Sequence, residues 1–307
     1  MSFVVGAGYT NCDILYSGLK SLPEEGTELY AGGFDVQLGG APVTLINLHK
    51  LNIPVKFATF VGDSQLCGMM KQEYRCHGMD YANLYDPEKH GKMPITVTSV
   101  IITERNRTFV SYRESSGKDF VSQAELDAML GLSKGARFAM MGCDFPELHK
   151  LQKELGTELI LDMGWDDDIA LEKYSDLLEL ADYYTPNRGE ALKITGTSNV
   201  DDAIDVLSRY FPKAIVKLDS EGCLLKEGGV KALVPPLQDV AFVDATGAGD
   251  SFRSGLVYGL FHGYAFADCV KFGNIMGGTC VSAVGCLGKQ LDETELLRIF
   301  ERFQHTS

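Results

Sequence analysis

Val243-Asp244-Ala245-Thr246-Gly247-Ala248-Gly249-Asp250-Ser251-Phe252 is the stretch on which the reading of this chain turns. It follows an apolar, strand-like approach (Val240, Ala241, Phe242, Val243) and runs straight into a long helical pattern beginning near Ser251. A Gly-Ala-Gly turn at a helix start leaves backbone N–H groups unpaired and unshielded by side chains. The helix dipole adds partial positive charge there, which makes the turn a seat for phosphate. Asp250 is then out of place, because a carboxylate repels phosphate. The task that fits it is proton acceptor. Asp250 takes the proton of a hydroxyl while the N–H groups of Gly247, Ala248 and Gly249 hold the phosphoryl group under attack. The same residues also read as a plain Gly-rich turn with an Asp N-cap, so the rest of the chain has to arbitrate.

The composition suits a globular protein: 307 residues, 45% hydrophobic and 23% charged, enough for a large core with a small appended unit. A net charge of −14 argues against nucleic-acid or anionic-membrane partners. It does not argue against ATP, whose phosphates meet Mg²⁺ and a local nest of amides. The eight cysteines are scattered with no C-x-x-C pair, which reads as free buried thiols. The six histidines do not pair at metal-ligand spacing. The N-terminus starts a strand at once, without a secretory pattern, and no apolar run reaches about 18 residues. A cytoplasmic location is the expectation.

Outward from the Gly-rich turn, residues 122–185 alternate helix and strand: helix 122–130, strand 136–141, helix 146–155, strand 158–162, helix 168–180, strand 182–185. Such alternation predicts a parallel sheet covered on both faces, with ligands at the C-terminal strand ends. Strands are also predicted over 2–7, 56–61 and 213–218, and helices over 250–262, 265–283 and 292–303. Gly62-Asp63-Ser64 starts a further helix, capped by Asp63 or Ser64. Gly6-Ala7-Gly8 is not a dinucleotide fingerprint, since no third glycine follows at the required spacing. Four β-rich segments, 14–17, 27–38, 94–102 and 108–112, stand apart from this alternation and read as hairpin material.

The ten-residue stretch resembles the C-terminal signature of the ribokinase-like (PfkB) family of sugar and nucleoside kinases, Asp-Thr-x-Gly-Ala-Gly-Asp-x-Phe. The resemblance extends over nearly the whole chain. It implies an α/β fold with a doubly wound, mostly parallel sheet, helices on both faces and a small β-sheet lid. The large domain would comprise residues 1–10, 37–93 and 114–307, and the lid residues 11–36 and 94–113. It also implies ATP-dependent phosphorylation of a sugar hydroxyl with Mg²⁺, and a homodimer formed through the lid.

Residue by residue, Asp13 of Asn11-Cys12-Asp13 matches the aspartate that grips substrate hydroxyls. Gly39, Gly40 and Thr44 match a Gly-Gly-x-x-x-Asn sugar contact, with Thr where Asn is expected. Arg113, after Tyr112 and before Ser115-Ser116, reads either as a surface arginine or as a clamp for a substrate carboxylate or phosphate. Asn187 and Glu190 match Asn-x-x-Glu, which orders the water shell of Mg²⁺; the same pair is a capping box. Lys217, Asp219 and Gly222 lie where the family reads Thr-Leu-Gly-x-x-Gly beside the nucleotide, Asp219 replacing a glycine. Asn274 matches an asparagine near adenine. Asp244 and Thr246, with carbonyls near Ala283 and Gly285, sit where related enzymes bind K⁺. Asp162-Met163-Gly164-Trp165 replaces the Asp-x-Asn-x-Arg of many relatives, and Trp165 reads either as a sugar-stacking indole or as packing. A sugar-acid kinase, a nucleoside kinase and a non-catalytic sugar- or nucleotide-binding regulator are the alternatives.

Overall fold

Short apolar runs punctuated by glycine and proline build the sheet, and longer runs with a helical period cover it. A computed structural model describes residues 2–104, 106–114, 121–164 and 166–304. Ser115, Ser116 and Trp165 lie outside the described residues. In chain order come β1 (Val4–Ala7), β2 (Thr10–Leu19), β3 (Gly33–Gly40), α1 (Pro42–Lys50), β4 (Val55–Thr59), α2 (Gln65–Cys76), β5 (Ala82–Asn83), β6 (Thr96–Thr103) and β7 (Arg107–Tyr112). They are followed by α3 (Gln123–Ser133), β8 (Phe138–Met141), α4 (Pro146–Glu154), β9 (Glu158–Leu161), α5 (Leu171–Leu180), β10 (Tyr183–Tyr184), α6 (Arg188–Thr195) and α7 (Val200–Leu207). The chain continues through β11 (Lys213–Lys217), β12 (Cys223–Glu227), β13 (Val230–Val234), α8 (Ala248–His262), α9 (Phe266–Cys280) and α10 (Glu293–Gln304).

The main sheet runs β10-β9-β8-β1-β4-β5, with every neighbouring pair parallel. Alternate side chains of one strand feed opposite layers, as the strand period requires. Val4, Phe57 and Phe138 pack with Leu45, Val257 and Phe272 on one face, whereas Val5, Ala139 and Leu161 pack with Ala191, Ile204 and Leu207 on the other. The fold is the predicted α/β type. A three-stranded antiparallel sheet, β11-β12-β13, is joined to the end of β10 where the Lys217 N–H donates to the Pro186 carbonyl at 2.9 Å. α8 and α9 lie against each other with no room for larger residues: a Cβ on Gly255 would meet the Phe272 carbonyl oxygen at 2.2 Å.

β3-β2-β6-β7 form a separate four-stranded sheet, and its pleat sorts residues by face. On one face Leu15, Val100 and Ile102 are buried against Val284, and Asp13 and Gln37 are buried beside them in register. On the other, Tyr16, Phe34, Val110 and Tyr112 are exposed.

Some boundaries differ from expectation. The second segment of this sheet starts at Gly33 rather than at residue 27, since residues 28–31 hold no ladder partner and a Cβ on Gly32 would already stand 3.5 Å from the Gly18 Cα. β12 and β13 were not anticipated. Their Gly228-Gly229 turn, with φ of 59° and 83°, is the signal that announces them, because a two-residue hairpin turn requires positive φ at both positions. The approach at 240–243 is not a strand. Only Val243 and Asp244 bond across, both to the Val281 carbonyl, and Phe242 and Val243 are exposed.

Candidate active site

Gly247 makes the turn into α8. Its φ is 76° and ψ 3°, and no side chain caps the helix. A Cβ there would lie 2.2 Å from that of Cys286, so both the left-handed backbone and the crowding demand glycine. The Ala248 N–H donates to Ala245 O at 3.3 Å, and the Ser251 N–H closes the first helical bond on Gly247 O at 2.9 Å. Among the described residues, the N–H groups of Gly247, Gly249 and Asp250 donate no hydrogen bond. The idle amides are therefore 247, 249 and 250, with that of Ala248 partly engaged. The Lys217 ammonium stands beside them, 3.2 Å from where a Gly249 Cβ would be.

Asp250, one turn further on, borders a cavity of about 360 Å³ lined also by Gly8, Gly40, Thr44, Asp144, Asp162 and Arg253. Its side chain is 28% exposed. Oδ1 accepts the Thr44 hydroxyl at 3.3 Å and the Arg253 guanidinium. Arg253 also reaches Asp162, whose other oxygen accepts the Gly164 N–H at 3.1 Å. Burial raises the Asp250 pKa, helped by the Asp162 charge and opposed by Arg253 and Lys217. Burial works on Asp162 in the same sense, but Arg253 and Lys217 outweigh it and hold that carboxyl below the usual range. Arg253 went unnoticed in the sequence, since an arginine inside a helix ordinarily reads as a solvated face.

Asp13 lies on Gly39: a Cβ on that glycine would fall 2.0 Å from Asp13 Oδ2. The carboxyl is buried and makes no hydrogen bond among the described residues. Burial, with a contribution from the Asp250 charge, pushes its pKa up to about 7. Gly40, at φ 74°, packs over the Asn11 amide. Arg113 is not brought to this cavity. Its guanidinium stacks 3.5 Å over the Tyr9 ring, and Tyr9 lines a separate cavity of about 230 Å³ with His90 and Glu125.

Asn187 and Glu190 form a reciprocal capping box at the start of α6, with bonds of 2.9 and 2.8 Å. Burial raises the Glu190 pKa against the pull of Lys217, so α6 and α8 converge on the same ammonium. Glu190 Oε2 is taken by the box, and Oε1 carries no hydrogen bond among the described residues. Asp219 is exposed with φ 53°, a left-handed conformation that aspartate tolerates better than most residues. Gly222 is buried behind it. Asn274 is buried, and its amide donates to the carbonyls of Val234 and Pro235 at 3.1 and 2.7 Å. Asp244 is buried. It accepts from the Thr246 N–H and hydroxyl at 3.1 and 2.9 Å and from the Gly285 N–H at 2.9 Å.

Residues 1–293 match the family model described as pfkB family carbohydrate kinase. A 2-dehydro-3-deoxygluconokinase of Bacillus subtilis is 23% identical over 82% of this chain and 83% of its own length. Ribokinase from Giardia lamblia superposes with a TM-score of 0.82 at 19% identity, covering 98% of this chain and 99% of that one. Arabidopsis thaliana ribokinase, solved with ribose and ATP, superposes with a TM-score of 0.77 at 21% identity over 98% of this chain and 99% of that one.

Proposed function

The chain belongs to the pfkB family of carbohydrate kinases, and from that premise we propose that it transfers the γ-phosphoryl group of ATP to a hydroxyl of a small neutral sugar. One observation carries the reading: Asp250 borders the cavity on one side and the idle amides of Gly247, Gly249 and its own backbone on the other. Asp250 removes the acceptor's proton. The amides and Lys217 balance the charge on the phosphoryl group as it passes. Asp13, with Gly39, Gly40 and Thr44, orients the acceptor; a buried carboxyl lacking a partner suits a hydroxyl donor.

Among the described residues, no cluster of three His, Cys, Asp or Glu side chains is arranged to hold an ion. Mg²⁺ would be held through water by Asn187 and by the Glu190 oxygen that the capping box leaves open. When bound, Mg²⁺ neutralises phosphate charge. K⁺ fits at Asp244 and Thr246, where a buried carboxylate has no lysine or arginine beside it among the described residues. Asp219, Gly222 and Asn274 would line the nucleotide side.

The neutral acceptor follows from charge. Among the described residues the cavity lining offers one cation, Arg253, and both Asp162 and Asp250 already engage it. Arg113, the carboxylate clamp that a sugar acid would need, stacks on Tyr9 instead. Residues 11–36 and 94–113, which carry most of the four-stranded sheet, act as a lid on the large domain, and the sheet's exposed apolar face (Phe34 is 65% and Val110 64% exposed) suits a second copy of the chain. An ATP-consuming sugar kinase fits the cytoplasm, and the acidic surface suits neither nucleic acid nor anionic membrane.

The test is ATP consumption with matched panels of neutral sugars, sugar acids, sugar phosphates and nucleosides. Turnover confined to neutral sugars is expected. Preference for an anionic acceptor or a nucleoside would overturn the acceptor assignment, and ATP binding without turnover on any panel member would favour the regulator.

A further inference from the structure

Arg253 has no role in the chemistry above, yet its placement is not that of a surface residue. Its side chain is 9% exposed. It lies one turn after Asp250 on α8 and bridges two carboxylates, with Nη2 on Asp250 Oδ1 and Nη1 on Asp162 Oδ2. Asp162 sits just past the carboxyl end of β9 and is itself pinned by the Gly164 N–H. The Arg253 Nε–H is buried without a hydrogen-bond acceptor among the described residues. A buried, unpaired N–H weighs against stability, so satisfying its own donors does not explain where this guanidinium sits.

The consequence falls on one oxygen. Asp250 Oδ1 accepts both Arg253 and Thr44, whereas Oδ2 accepts nothing among the described residues. Building on the assignment of Asp250 as the base, we propose that Arg253, tethered by Asp162, is a positioning residue: it occupies one oxygen of Asp250 and so presents the other to the acceptor hydroxyl. Asp162 keeps the guanidinium from swinging toward the phosphate seat, where it would abandon the base. The charges facing Asp250 are Arg253 from its own helix, Asp162 from just past β9, Lys217 from β11 and Asp13 from β2, with Glu190 of α6 reached through Lys217 and Arg253. Of these, Arg253 and Lys217 favour the ionised base, and burial opposes it.

Three variants in the full-length enzyme test this: Arg253→Met, Arg253→Lys and Asp162→Asn. Steady-state kinetics with ATP and the best neutral sugar are followed from pH 5 to 9. Arg253→Met is expected to lower kcat by at least about 10-fold, with KM for ATP changed less than about 3-fold. Its acid limb should move to higher pH, because the cation that keeps the base ionised is gone. Arg253→Lys should restore the limb but not the full kcat, since a single ammonium does not bridge two carboxylates as the planar fork does. Asp162→Asn should lower kcat without raising the limb. A parental limb and kcat within about 2-fold in Arg253→Met overturns the proposal, as does a loss expressed wholly in KM for ATP. If Arg253→Met does not fold, Asp162→Asn with parental kcat overturns it instead. Asp250→Asn, run alongside, separates the two ideas: its inactivity with normal Arg253 variants removes only the positioning role, and its activity removes the base as well.

Discussion

Two helix starts face the same lysine, and they are built in opposite ways. α6 opens with a complete capping box, in which Asn187 and Glu190 satisfy each other's backbone N–H groups. α8 opens with a left-handed glycine, no side-chain cap and three amides that donate to nothing among the described residues. A side-chain cap contributes about 1 kcal/mol; α8 forgoes it. The difference separates two duties. On the proposed reading the closed start offers a carboxylate oxygen to Mg²⁺ through water, whereas the open start offers bare amides to phosphate. Asp13 is the acidic counterpart of the open helix start, a buried carboxyl that accepts from no donor among the described residues.

The contrast breaks if the open start proves inert. Asp250→Asn is expected to lower kcat by roughly a thousandfold while the thermal midpoint stays within a few degrees; single-turnover kinetics and a melt on one preparation check it. Gly247→Ala should cost several kcal/mol, because it forces alanine to φ 76° and crowds Cys286. Urea unfolding reads this out, and a midpoint equal to that of the parent would mean that the turn is not rigid.

Asp13→Asn sharpens the picture through pH. The folded pKa of Asp13 is raised from 3.8 to about 7, so the native state holds its proton more tightly and stability falls as pH rises across that interval. Removing the group should stabilise the protein at pH 8 by up to about 4 kcal/mol, and by almost nothing at pH 3.5, while acceptor KM rises. Equal melting shifts at both pH values would contradict this. The smallest effect belongs to the closed start: Asn187→Ala should lose about 1 kcal/mol of stability, seen as a small drop in the urea midpoint.

The open helix start was legible because its chemistry is local. Glycines, a helix period and one misplaced acid occupy consecutive residues, and so do Asn187 and Glu190. The parallel sheet was legible through its repeating alternation. Arg253 was not, because its meaning depends on Asp162, far earlier in the chain, which only tertiary packing of α8 beside the end of β9 brings within reach. The engagement of Arg113 with Tyr9 is tertiary in the same sense. The 240–243 run misled because apolar composition reports burial only when a partner strand exists, and here the segment bonds only to the end of α9. The β12–β13 hairpin was recoverable from Gly228-Gly229, which sits between the apolar runs Cys223-Leu224-Leu225 and Ala232-Leu233-Val234.

Consecutive residues of β2 serve unrelated masters. Asp13 pairs across from Gln37 and Ile14 from Val36, so the two side chains leave the ribbon on opposite sides. A deletion in the loop of residues 20–32 shortens a connection and leaves the pairing intact. A deletion of one residue inside β2 exchanges the two sides, turning isoleucine to where Asp13 sits beside Gly39 and the acid against the apolar core that Ile14 packs on. This ribbon should therefore tolerate length changes almost anywhere in its connecting loop and nowhere along its paired rungs.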